Sequence, residues 1–419
     1  MHQDMRRTSA AAQPATGPLA GVRVIELTST VAGPFCGRLL ADFGADVIKI
    51  EPADGDAVRT MGERKGDASL YAASILRNKK LIALDMRQPE AQALVRDMVL
   101  QADIFIENFR PGTMEKWGLG YADLSAGNPG LVMVRISGYG QTGPYSQRPG
   151  YGVTSEAISG LRDLTGDPDR PPARVATSLT DYITGLYAAF GAAMALVERA
   201  QSGRGQVVDA ALYEAAFSFV EPHIPAYAAL NTVATRAGSR LPGHVPNNLY
   251  PTADGRYIQI VAASNPIFRR LLGAMQCDSL IEDSRFATPA ARARHPDELD
   301  SVIGAWTGSL PLATLEALLA AADVPAARIY NIADIFADPH YRQRDMLQRV
   351  ASQELGEATV PGIVPKLSRT PGHVQWAGRA VGVDTRAVLA DRLGLPDQAI
   401  DALARAGIVT ESKPQPAGG

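Results

Sequence analysis

Asp181 is the carboxylate best placed for chemistry, in the stretch ATSLTDYITGLYAAFGAAMALVERAQSGRGQVVD from Ala176 to Asp209. Ser178 and Thr180 are cap-type residues, and Tyr182 to Ala200 has helical length, few charges and no proline, which puts Asp181 in the first turn of a helix. Unpaired N–H groups and the helix dipole favour a charged carboxylate there over a neutral one. Such a group can act as a nucleophile; in the simpler reading it only caps its helix.

Basic residues gather at predicted strand ends. Arg77, Lys79, Lys80 and Arg87 flank one strand, and Arg110 and Lys116 follow another. The net charge of −3 offers no general attraction for nucleic acid or an anionic membrane, so a polyanionic ligand must be held by a local patch of this kind. A solvated face is the competing reading of each run. Asn108-Phe109-Arg110-Pro111-Gly112 supplies a rigid turn able to set an amide and an aromatic ring against a ligand. Gly138-Tyr139-Gly140-Gln141-Thr142-Gly143 matches the dinucleotide-binding fingerprint and follows a strand, but Pro144, Pro149 and Gly150 stand where that fingerprint needs an opening helix. We read it as an ordered active-site loop, which argues against a dinucleotide-dependent oxidoreductase.

The elements that must position these groups alternate along the first half of the chain. Strands are predicted at Val22–Leu27, Asp46–Ile50, Leu81–Leu84, Ile104–Glu107, Leu131–Ile136 and Gln206–Ala211, with helices between them. That pattern gives an α/β fold with a doubly wound parallel sheet, whose ligands bind at the carboxyl ends of the strands. The chain of 419 residues can hold two domains, and 46% hydrophobic with 20% charged residues is an ordinary globular composition. Polar, Gly/Pro-rich sequence at Asn231–Asn248 reads as a connection into a smaller α+β unit. The expected organisation is a loose tail over 1–17, a large domain over 18–230, a small domain over 231–345, a linker over 346–384, closing helices over 385–412 that complete the large domain, and a tail over 413–419. Two cysteines and six scattered histidines suggest neither a disulfide framework nor a metal site. The apolar run Ile183–Val197 is shorter than a membrane span, and a cytoplasmic protein is expected.

Several motifs together resemble the class III CoA-transferases, the family of formyl-CoA transferase, to which the α-methylacyl-CoA racemases are related. They are PLAGVRVIELTSTVAGPFCGRLLADFGADVIKIE from Pro18, NKKLIALDMRQPE from Asn78, ADIFIENFRPGTMEKWGL from Ala102, ISGYGQTGPY from Ile136, and the TDYITG and GRGQVVD of the opening stretch. The small unit is matched loosely, through LYPTADGRYIQI from Leu249. The resemblance implies a Rossmann-like large domain built from both ends of the chain, a small α+β domain, and an interlocked homodimer. It implies that Asp181 is the catalytic carboxylate. It places coenzyme A contacts on Thr30, Val31, Leu84, Asp85, Met86, Arg87, Asn108, Phe109, Arg110, Lys116, Ile136, Ser137, Gly138 and Tyr139. Two departures stand out. Pro52 follows Glu51 where formyl-CoA transferase has an Arg, with Arg59 as a candidate replacement. Leu241 to Asn248 stands in place of a glycine lid, so oxalate is not the expected acceptor.

The implied reaction moves CoA from an acyl-CoA donor such as succinyl-CoA to a small carboxylic acid, expected to be a dicarboxylic one, through an aspartyl-CoA thioester. CoA is then a substrate, and no tightly bound cofactor, metal, nucleic acid or membrane partner is expected. Backbone N–H groups of the Gly138–Gly140 loop are candidates for stabilising the oxyanion. A racemase needs a His in the stretch that here reads Pro149-Gly150-Tyr151-Gly152, and Tyr151 is a poor base near neutral pH. A non-catalytic CoA-binding protein is the other alternative.

Overall fold

The computed structural model describes residues 17–412. The expected tails, 1–17 apart from Gly17 and 413–419, lie outside the described residues. Two compact units divide the chain: a larger one that runs to Ser159 and adds Val175–Glu221 and everything from Arg342, and a smaller one of Gly160–Arg174 and Pro222–Tyr341. Residues 160–174 thus group with the small unit, although in sequence they read as part of the large domain.

The large unit is built on β1 (Arg23–Leu27), β2 (Asp46–Glu51), β3 (Lys79–Leu84), β4 (Ile104–Glu107), β5 (Val132–Ser137) and β6 (Val207–Ala211). All six are parallel to their neighbours, in the spatial order 3-2-1-4-5-6, and the short strand Val409–Thr410 joins β3 antiparallel at the edge. The order reverses between β1 and β4, which creates the crevice where doubly wound sheets bind ligands.

Near-continuous apolar strands arise because both faces of this sheet are covered. Successive side chains alternate between two cores. Val24, Val47, Ile104, Val132 and Val134 face one core, while Ile25, Ile48, Phe105 and Met133 face the other. The second core is closed by the helix Pro89–Val99, through Ala91 and Val95, and by the helices Thr385–Leu393 and Asp397–Arg405, through Val388, Leu389 and Ile400. Each large side chain buried this way contributes about 1.5–3 kcal/mol.

Five helices matter for the site: α1 (Ala32–Asp42), α2 (Leu70–Ile75), α3 (Pro89–Val99), α4 (Gly152–Ile158) and α5 (Leu179–Ser202). The last is 24 residues long, and by length and composition it could cross a bilayer, contrary to the expectation drawn from its shorter apolar run. The difference lies in helical residues beyond both ends of that run. In the fold Thr184, Gly185, Ala188, Ala189, Ala192 and Ala195 are buried, and the alanines join the core that holds Cys36 and Leu40 of α1. Gly185 permits this packing, because a Cβ there would lie 2.6 Å from Ala32 O and 2.8 Å from Phe35 Cδ1.

The stretch 346–384, expected as a linker, is a docked strap. Leu347–Ser352 and Gly356–Pro361 pair as an antiparallel hairpin, and Ala358 and Val360 pack with Ala73 of α2 and with Ala377. Asn78 then fastens the strap: its Nδ2 donates to His373 O (2.8 Å) and its Oδ1 accepts from Gln375 N (2.7 Å). A buried amide with its partners met in this way holds irregular backbone against the domain.

In the small unit, Tyr257–Val261 lies between Asn247–Pro251 and Ala326–Arg328 in an antiparallel sheet. Ile258 and Ile260 pack with Phe268, Leu271, Leu272, Ile303, Leu315 and Leu319, which come from the helices Asn265–Met275, Pro296–Gly308 and Leu312–Ala321. Arg292, fully buried, donates to the carbonyls of Val245, Ala263 and Phe286 and so ties three loops together.

Candidate active site

A cavity of about 330 Å³ lies at the carboxyl ends of β1, β4 and β5. Ser29 to Ala32 enter it from the turn after β1, Asn108 to Pro111 from the turn after β4, and Ile136 to Gly138 from the end of β5. Asp181 lines the same cavity. The structure therefore brings together Thr30, Val31, Asn108, Phe109, Arg110, Ile136, Ser137, Gly138 and Asp181.

The remaining candidates do not line this cavity. Leu84 is in the core under α3. Arg87 is on an exposed turn and donates to both carboxylate oxygens of Asp85, at 2.8 and 2.9 Å; Met86 packs against the core. Lys116 is exposed, and the Tyr139 ring lies against those of Tyr145 and Tyr213. Ser29, Ser146, Arg148 and Tyr151 line the cavity without having been singled out as binding residues. Of the Gly138–Gly143 segment read as an active-site loop only Gly138 lines the cavity, and nothing in the residue types shows that the lining resumes at Ser146.

The turn after β1 is held from three sides. Thr30 has φ 75°, a costly conformation for a β-branched residue. Asp56 Oδ1 accepts from Thr30 N at 2.9 Å, Asn108 exchanges two hydrogen bonds with the Ser29 backbone at 2.8 and 2.9 Å, and Lys49 Nζ donates to Thr28 O at 2.7 Å. Beneath it, buried Lys49 pairs with Asp56 (2.7 Å) and Glu26 (3.3 Å), and Lys79 pairs with Glu26 (2.6 Å). Burial opposes the charge on Asp56, yet Lys49 and the N–H groups of Val58 and Thr30 hold it below the usual carboxylate range.

These partners correct the reading of the basic runs. Arg77 and Lys79 are neither a solvated face nor ligand contacts. Both are fully buried, and Arg77 donates to Asp42 at 2.6 and 2.9 Å. Arg59 does not stand in for the contact missing at Pro52, because it is committed to Glu51 (2.8 and 3.2 Å) and to Arg379 O (2.9 Å).

Asp181 lies in the first turn of α5, where the N-cap Ser178 makes no side-chain capping bond. Its carboxylate rests on the first residue of α4, since a Cβ on Gly152 would stand 2.2 Å from Asp181 Oδ2. The loop between β5 and α4 closes on itself: a Cβ on Gly138 would meet Gly150 Cα at 2.6 Å. This glycine contact returns the chain to place Tyr151 and Gly152 beside Asp181. The next residue, Tyr182, meets Tyr71 of α2 hydroxyl to hydroxyl at 2.7 Å and stacks edge-on with Phe35. Burial, the Tyr182 hydrogen bond and the Asp181 charge together push the Tyr71 phenol up. Of the Gly138–Gly140 loop whose N–H groups are candidates for stabilising the oxyanion, the Gly140 N–H is already donated to Ser137 Oγ at 2.9 Å.

Below the Asn108–Pro111 turn, Glu107 accepts from Phe109 N (2.8 Å) and from Arg135 Nε (2.8 Å). Burial pushes the Glu107 carboxyl up to about 7, despite the Arg135 guanidinium beside it. Among the described residues no three His, Cys, Asp or Glu side chains gather as a metal site.

The sequence model of CoA-transferase family III matches residues 19–385. The chain is 47% identical over 382 residues to the succinyl-CoA–D-citramalate CoA-transferase of Chloroflexus aurantiacus, covering 91% of this chain and 95% of that protein. It is 33% identical over 398 residues to the human succinyl-CoA:glutarate CoA-transferase, covering 94% and 90%. The crystal structure of a CaiB/BaiF family protein from Brucella suis superposes with a TM-score of 0.80 at 34% identity, over 90% of this chain and all of that one (100%).

Proposed function

This chain belongs to CoA-transferase family III, and from that premise we propose that it transfers CoA from succinyl-CoA to a small dicarboxylic acid, with Asp181 as the covalent carrier. The observation that carries the proposal is the placement of Asp181 in the cavity at the point where the strand order reverses. The substrate class is supported by relatives named for succinyl-CoA with citramalate, malate and glutarate.

In the first half-reaction an Asp181 oxygen attacks the donor thioester carbonyl, the C–S bond breaks, and a mixed anhydride and CoA thiolate result. The thiolate attacks the aspartyl carbonyl, which forms the aspartyl-CoA thioester and releases the donor acid as its carboxylate. The acceptor carboxylate then attacks this thioester, expelling the thiolate, and the thiolate attacks the acceptor's own acyl carbon. Acyl-CoA leaves and Asp181 is regenerated as a carboxylate. The aspartyl-CoA thioester is comparable in energy to the donor and product thioesters, so neither half-reaction runs downhill into a trap. The first turn of α5 favours the ionised nucleophile.

A racemase would need a base for the α-proton. Tyr151 stands in the cavity where that family carries a histidine, and no histidine is among the lining residues. A homodimer is further supported by an exposed apolar stripe on α5: Leu186, Phe190, Met194 and Val197 are 47–59% exposed and recur at helical spacing.

The test uses donor thioester alone. Wild-type protein should accumulate an enzyme-bound CoA thioester that maps to Asp181 by mass spectrometry and is cleaved by hydroxylamine. Asp181→Asn should bind CoA, form no adduct and lose exchange. Full turnover by an Asn variant verified free of deamidation rules the carrier role out. CoA binding by the wild type without adduct or transfer would make the chain a non-catalytic CoA-binding protein.

A further inference from the structure

We propose that Arg148 binds the far carboxylate of the dicarboxylic substrate and so determines specificity for diacids; this rests on the reading of the preceding subsection. Arg148 lines the same cavity as Asp181, on the loop that joins β5 to α4. The cavity is lined by a second arginine, Arg110, and among the described residues neither has a carboxylate within ion-pair distance. Other arginines of the large unit differ: Arg59, Arg77 and Arg135 are each committed to a glutamate or aspartate of the fold. Two cations are thus left for anions brought in by substrates. Arg110 follows Asn108 and Phe109 on the β4 turn, the stretch that the family resemblance assigns to CoA, which leaves Arg148 for the acid.

Its geometry suits that role. The guanidinium lies 3.6 Å from the centroid of the Tyr145 ring, and the Arg148 N–H donates to Tyr145 O at 2.8 Å. A stacked guanidinium keeps its edge N–H donors free and loses less freedom on gripping a carboxylate through two parallel hydrogen bonds. The loop beneath is anchored by the backbone contact of Gly138 with Gly150, and Gln147 Nε2 donates to Pro111 O at 3.4 Å. Arg148 is only four positions before Gly152, the residue on which the Asp181 carboxylate rests. One segment therefore serves both ends of a short diacid.

The test compares succinyl-CoA with butyryl-CoA, which replaces the far carboxylate by a methyl group, in the half-reaction that charges Asp181. Wild-type enzyme should favour succinyl-CoA. Arg148→Gln should lower kcat/KM for succinyl-CoA by about 10- to 100-fold, the loss expected for one charge-assisted contact, and leave butyryl-CoA unchanged. Arg148→Lys should recover part of the loss. The unchanged butyryl-CoA rate also shows that the variant is folded. Equal losses for both thioesters would assign Arg148 to CoA and overturn the proposal, as would a succinyl-CoA preference that survives Arg148→Gln. A wild-type enzyme with no such preference, yet able to form the Asp181 adduct, overturns the diacid reading itself and the proposal with it.

Discussion

Replacing Gly185 with alanine tests whether the close approach of α5 to α1 sets the position of the nucleophile. The added Cβ would stand 2.6 Å from Ala32 O, 2.8 Å from Phe35 Cδ1 and 3.3 Å from Cys36 N. Two of these three atoms are backbone in the first turns of α1, so a rotamer change cannot relieve the clash. To restore ordinary contact the helices must part by about 0.8 Å, with an overpacking cost of about 1–3 kcal/mol. Helix propensity offsets up to about 1 kcal/mol of this, since alanine is the better helix former. Asp181 lies one turn before Gly185, and Val31 and Ala32 line the cavity it faces. A displacement on the order of 1 Å in a reacting group costs about 10²-fold in rate. The expected result is a modest fall in the urea midpoint with a kcat lower by roughly 10- to 100-fold, read in the CoA-exchange assay under conditions where the variant is fully folded. Gly304→Ala is the control, because its helical Cβ meets nothing within 4 Å; it should leave kcat alone. Wild-type kcat and stability in Gly185→Ala would refute the reasoning.

Other outcomes follow from the same structure. Phe190→Glu with Met194→Glu places two charges on the exposed stripe of α5; the variant should keep its circular dichroism and run as a monomer in light scattering, and an unchanged dimer would remove this stripe from the interface. Glu107 has its carboxyl raised from 4.5 to about 7 in the fold, so burial favours the protonated form there. Its contribution to stability is full below the unfolded value and is lost as pH rises through the folded one. The unfolding free energy of wild type relative to Glu107→Gln should therefore fall between about pH 5 and pH 8, and a difference that stays flat in urea titrations counts against the shifted carboxyl.

How much of this was legible beforehand depended on the range over which each feature is decided. Strand and helix placement came from local periodicity, so the six parallel strands and the first-turn position of Asp181 were readable, and Pro144 was enough to reject the dinucleotide fingerprint. The motifs also carried the family, because their order and spacing are properties of the chain itself. The roles of the charged residues were not readable in the same way. Arg77 and Lys79 look like ligand contacts in sequence, yet their partners Asp42 and Glu26 lie 35 and 53 residues away and bury them. Arg148 looks like any loop arginine until the contact of Gly138 with Gly150 fixes it beside the cavity. The strap over 346–384 reads as a linker because its anchor, Asn78, is 295 residues from His373. A residue's backbone preference is set by its own side chain and its near neighbours, and one chain displays it. Whether a charge is spent inside the fold or left for a ligand depends on which distant carboxylate the strand order brings within reach, and only the tertiary structure decides that.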